Sequence, residues 1–114
     1  MAGLLERIHA AREFSVEIAP GKKLRMRRPL QAQMPRFRGG LSLQILAEYA
    51  VGWDGVLEAD VLPAGVGGDA KAEFSQDIVF EVLGDKADWY EAAAKGMADA
   101  IKSFLEQQAT TAKN

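Results

Sequence analysis

The sequence predicts an α+β fold in which an N-terminal β-hairpin packs against about three helices, the last of them long and amphipathic. Three observations lead there. Apolar and polar residues alternate from Phe14 to Met26 around a Pro-Gly turn, the apolar period lengthens to three and four residues after Leu41, and one apolar stripe runs from Tyr90 to Leu105. A chain of 114 residues holds one hydrophobic core rather than two. Residues 1–107 therefore read as a single domain, and 108–114, where periodicity is lost, as a disordered tail.

The elements follow in order. Residues 3–13 place Leu4, Leu5 and Ile8 at near-helical spacing, but the segment is short and makes a weak helix. In the hairpin, Phe14, Val16 and Ile18 share a face with Leu24 and Met26, Pro20-Gly21 makes the turn, and Pro29, lacking an amide donor, ends the second strand. Residues 30–40 mix a proline and a Gly-Gly and read as a connector with room for one helical turn. A helix over about 42–51 follows, capped by Ser42 and stopped by Gly52. In the same reading, Gly52, Trp53, Asp54 and Gly55 form a corner, with Trp53 folded back onto the core and Glu58 and Asp60 on an exposed limb beyond it.

Pro63 and the three glycines after it mark residues 61–73 as a surface loop. Ser75 caps a helix whose apolar residues are Ile78, Val79, Val82 and Leu83 and which Gly84 terminates. The final helix carries Tyr90, Ala93, Ala94, Met97, Ile101, Phe104 and Leu105 on one face and Glu91, Lys95, Asp99, Lys102 and Glu106 on the other.

Charge is nearly balanced in total but segregated along the chain. No acid lies between Glu17 and Glu48, where seven cations fall: Lys22, Lys23, Arg25, Arg27, Arg28, Arg36 and Arg38. From Glu48 onward there are thirteen acids against five lysines. Such a chain pairs with itself, with another copy, or with an oppositely charged partner. The absence of cysteine fits a reducing compartment and removes thiolate chemistry. Charges at Glu6, Arg7 and Arg12 interrupt what would be the apolar part of a secretory signal, and no apolar run is long enough to span a membrane. A cytoplasmic protein without membrane contact is the expectation.

The residues offer little chemistry. Counted from Asp54, a calcium-binding loop would need glycine at Ala59 and glutamate at Gly65. His9 has no second ligand in a recognisable motif, Ala19-Pro20-Gly21-Lys22-Lys23 lacks the spacing of a phosphate-binding loop, and no serine sits in a nucleophile elbow. Neither an enzyme nor a cofactor or metal site is expected. The arginine run could neutralise phosphates, with Phe37 stacking on a base. Mild overall acidity and the lack of any accompanying nucleic-acid motif disfavour that reading. The surplus of Met and aromatic residues favours self-association or capture of a partner helix. The candidate contact residues are Arg25, Arg27, Arg28, Arg36 and Arg38 as a basic rim and Met97, Ile101 and Phe104 as an apolar surface.

In order along the chain stand Arg27-Arg28-Pro29, then Val51-Gly52-Trp53-Asp54-Gly55-Val56, then Phe74-Ser75 opening one helix and Trp89-Tyr90 opening the last. Over residues 14–107 this order resembles the small tail assembly chaperones of long-tailed bacteriophages and prophages. The resemblance implies a non-catalytic protein of the host bacterial cytoplasm that binds the long helical tape-measure protein, helps bring tail-tube subunits around it, and is absent from the mature virion. Its alternatives are a neck or tail-completion subunit retained in the virion, and a small nucleic-acid-binding regulator.

Overall fold

The computed structural model describes residues 3–113, with side chains through Thr110. Helix α1 (Leu4–Ala11) leads into strands β1 (Glu13–Ala19) and β2 (Lys22–Arg27), followed by a 3-10 helix (Gln31–Phe37), α2 (Leu43–Tyr49), β3 (Ala50–Asp54), the single turn α3 (Glu58–Val61), α4 (Gln76–Asp85) and α5 (Ala87–Lys113). The architecture is α+β: a three-stranded antiparallel sheet ordered β1-β2-β3, with helices on one face.

The hairpin forms as its alternation dictates. Phe14 lies opposite Met26 and Val16 opposite Leu24, and Gly21 supplies the left-handed turn conformation at φ +76. Ile18, Leu24 and Met26 are buried, while Phe14 and Val16 are partly buried against the same core. A two-stranded hairpin is marginal alone, because the outer edge of its second strand leaves backbone donors and acceptors unpaired. Strand β3 supplies the missing partner.

This strand corrects the expectation for residues 50–55. The helix ends at Tyr49, Ala50 is already extended, and Gly52 is not a left-handed cap but a strand residue facing Arg25 across the ladder. The cause is a bulge. Ala50 pairs with Met26 and Gly52 with Arg25, leaving Val51 as the extra residue, so the inward-facing Ala50 and Trp53 stand three apart. That spacing imitates a helix. The Arg25 guanidinium lies across Gly52, in the space a methyl would take. Trp53 does fold onto the core. Its indole N–H donates to the Ala72 carbonyl at 3.0 Å and its ring meets Phe74 edge-on at 5.9 Å.

Gly55, at φ +80, makes the reversal after β3, and a methyl on it would strike the carbonyl oxygen of Gly21. The hairpin turn and this corner therefore touch backbone to backbone. Of the limb beyond the corner, Glu58 is exposed and Asp60 partly buried, and both lie on the helical turn α3. Ser42 and Ser75 cap α2 and α4 as expected, accepting from the amides of Ile45 and Ile78. Gly84 does not terminate α4. It lies in the last turn, where a methyl would come within 3.0 Å of the Leu43 side chain, so its smallness brings α4 close to α2.

Helix α5 extends through Lys113, beyond the expected end at 107. Nothing in residues 108–113 breaks a helix, and backbone bonding continues without an apolar face to bury; Asn114 lies outside the described residues. The 3-10 helix is seven residues long, closer to two turns than the one expected. Weak as its sequence is, α1 forms, with Leu4, Leu5 and Ile8 exposed. The β2 exit is tied to it where the Arg28 amide donates to the Arg12 carbonyl at 2.8 Å.

Helix α5 crosses β1 at Gly96, where a methyl would collide with the branched end of Val16. Two effects oppose each other in Gly96→Ala. Helix propensity favours alanine by about 1 kcal/mol, whereas overpacking a tight contact costs about 1–3 kcal/mol. Because Val16 is β-branched and stiff, overpacking should win. Urea denaturation is expected to show a net loss for Gly96→Ala, turning into a gain when Val16→Ala is added. A stabilised single variant would refute the close contact.

Candidate partner-binding groove

The 3-10 helix leans over α5 and leaves an open apolar groove between them. Its local structure is well determined by sequence. The Leu30 amide donates to the Gln33 side chain at 3.1 Å to start it, and Phe37 packs edge-on against Tyr49 at 6.0 Å. Gly40, at φ +105, turns the chain toward α2, and the Tyr90 hydroxyl donates to the Leu41 carbonyl at 2.7 Å, fastening this exit to α5.

The groove encloses about 1030 Å³. Met34, Phe37 and Leu41 form one wall, and Tyr90, Ala94, Ala98, Ile101 and Leu105 follow each other at three and four residue steps along the other. Arg38, Lys95 and Lys102 stand at its rim, with Glu106 the one acid. An apolar trough with a mostly cationic rim suits an amphipathic helix that carries acids beside its apolar face.

The expected contact residues divide among several places. Arg38 and Ile101 line the groove. Met97 is fully buried and belongs to the core with Trp89 and Ala93, so it cannot contact a partner in the folded chain. Phe104 is half-buried beneath Arg28, whose guanidinium stacks 3.7 Å from the ring centre. The single apolar stripe of the sequence is thus two: Ala93 and Met97 face the core, while Tyr90, Ala94, Ile101 and Leu105 face the groove. Ala98 and Leu105 belong among the groove residues, and the helical spacing of Ala94, Ala98, Ile101 and Leu105 carried that signal.

The remaining arginines are elsewhere. Arg25 lies on the outer sheet face, its Nε 3.1 Å from the Asp54 carboxylate, and Arg36 pairs with Glu48 at 3.3 Å. Arg27 and Arg28 line a separate small cavity with Arg12. The acids that crowd the sequence after Trp53 point apart: Asp54 turns to Arg25, Glu58 is exposed, and Asp60 accepts from the Leu57 amide at 2.8 Å and pairs with Lys22 at 3.0 Å. The Leu57 amide above all holds the Asp60 carboxyl below its ordinary value; burial opposes it, and Lys22 adds to the lowering.

Among the described residues no three His, Asp or Glu side chains converge as metal ligands, and no helix is long and apolar enough to cross a membrane. No family model, no curated protein and no solved structure matches the chain.

A carboxyl whose folded pKa is depressed contributes stability above its unfolded pKa and loses it as pH falls through the folded value. Asp60→Asn keeps an acceptor for the Leu57 amide but removes the charge. At pH 7 it should cost about 0.5–1 kcal/mol, since the pair with Lys22 is partly exposed. Between pH 4 and pH 2 the variant should lose stability less steeply than the parent, and parallel urea midpoints across that range would contradict the assigned role.

Proposed function

We propose that the protein is a non-catalytic tail assembly chaperone that holds an apolar helical segment of a phage tape-measure protein in the groove between the 3-10 helix and α5. One observation carries this reading. The groove is open, predominantly apolar, and bordered by Arg38, Lys95 and Lys102. A long helical protein awaiting assembly exposes apolar stripes that aggregate unless covered, and a trough of this form covers one without enclosing it. The cationic rim favours segments with flanking acids and speeds their capture by long-range attraction.

The order of motifs over residues 14–107 supports the same assignment, as does an acid cluster whose Asp54 and Asp60 are spent on structural pairs. In this reading the protein works in the cytoplasm of the host bacterium, brings tail-tube subunits to the covered tape measure, and leaves before the particle is complete. The exposed apolar face of α1 is available for contacts between copies.

Co-expression with the tape-measure protein tests the proposal. Ile101→Glu and Leu105→Glu place a charge in the trough, and each should reduce the soluble tape-measure fraction by about tenfold, the scale of losing one central anchor. Arg25→Gln, on the opposite side of the sheet, should leave solubility unchanged. Equal tape-measure solubility with the protein, with the groove variants and with neither would refute the assignment. Stoichiometric amounts of the protein in purified virions, measured by mass spectrometry, would favour a retained tail component instead.

A further inference from the structure

A second concave site lies between the β2 exit, α2 and the start of α4, and its composition differs sharply from that of the groove. Arg12, Arg27 and Arg28 line it together with Tyr49, and Gln33 and Gln76 add further polar groups to the lining. None of these three guanidiniums has a carboxylate within ion-pair distance among the described residues. Glu48, the one acid in the lining, does not supply one, because its carboxylate is paired with Arg36 at 3.3 Å. The Nε atoms of Arg12 and Arg27 and the Tyr49 hydroxyl are all shielded from solvent, and none meets a hydrogen-bond partner among the described residues. Setting Arg12 against Arg28 and orphaning buried donors both cost stability unless something accepts from them.

We propose that this cavity is a binding site for a small phosphate-class oxyanion, held by Arg12, Arg27 and Arg28 with the Tyr49 hydroxyl as a neutral donor. The size fits. At about 250 Å³ the cavity lies below the range of about 300–1,000 Å³ that holds drug-sized ligands, so it takes an ion or one group of a small ester. The donors fit as well. A carboxylate is satisfied by a single arginine fork, whereas a phosphate offers three or four acceptor oxygens and close to two negative charges, which match several guanidiniums.

Two electrostatic consequences are already visible. Burial, and then the positive charge of Arg12, lower the pKa of Arg28. Burial, and then the Glu48 charge, raise that of Tyr49 against the opposing effect of the neighbouring Arg36. Arg28 is also fixed in place by its stack on Phe104 and by donation to its neighbour's carbonyl, Pro29 O, at 2.9 Å. The site is separate from the groove, and the proposal stands whether or not the chaperone assignment does.

Calorimetric titration and thermal melting of the full chain at constant ionic strength test it, with inorganic phosphate and phenyl phosphate as probes and chloride as the reference. Phosphate should bind one to one and raise Tm by several degrees over chloride. Arg27→Gln should weaken it at least about tenfold. Arg12→Lys, which keeps the charge but loses the fork, tests the same site if the first variant folds poorly. Without phosphate and at low salt, Arg12→Gln should not lower Tm, because it removes repulsion and an orphaned donor; a purely structural arginine would lower it. Arg25→Gln should bind phosphate as the parent does. Binding of both probes would assign a monoester ligand, and binding of inorganic phosphate alone a free ion. Failure of phosphate to exceed chloride, or an equal loss in Arg25→Gln, would overturn the site.

Discussion

Helix α5 lies as close as it does to the sheet because residue 96 is glycine. At that crossing the helix backbone comes against Val16, with no room for even a methyl group between them. The close approach sets the rotation of the helix about its own axis. Ala93 and Met97 are driven into the core, and the residues a third of a turn away are left facing outward. Phe104, two turns beyond Gly96, arrives beneath Arg28. A shift or rotation of α5 would change the core, the groove and this stack together, since interiors are packed too densely to absorb it locally.

Charge organises the other side of the molecule. The basic run of residues 22–38 and the acids after residue 47 are distant in sequence but adjacent in space: Lys22 meets Asp60, Arg25 meets Asp54, and Arg36 meets Glu48. Each pair is partly exposed and contributes little by itself. They tie three separate places together: Lys22 joins the hairpin tip to α3, Arg25 joins β2 to β3, and Arg36 joins the 3-10 helix to α2. On the outer sheet face Glu17, Lys23 and Asp54 lie in one row across the three strands. The self-pairing open to a dipolar chain thus accounts for much of the segregation. Arg12, Arg27 and Arg28 stand outside it.

The hairpin was legible because its alternation, turn glycine and terminal proline all agreed, and the serine caps because each stands just before an apolar run. Strand β3 was not. Its bulge at Val51 gave the inner residues helical spacing, and a strand completed by pairing with β2 leaves little trace in its own five residues. The groove was half legible. Helical spacing identified the stripe on α5, but only the contact at Gly96 decides which of its residues are core. The arginine cavity was hidden for a different reason. Arg12 precedes the hairpin by one residue, and the backbone bond from Arg28 brings the two ends of the hairpin together. No local pattern marks that meeting.

The contact between Gly21 and Gly55 has a consequence for where this chain tolerates change in length. Both residues hold left-handed conformations, and their backbones meet with no side chain between them. A residue inserted in the corner at Gly55 would be driven against the hairpin turn, so that corner is fixed in length as well as in composition. The exposed segment around Gly65 is different: a methyl there would meet nothing, and its neighbour Val66 projects into solvent. Peptide tags or spectroscopic labels belong in that loop, on the part of the molecule where added chain disturbs neither the sheet nor α5.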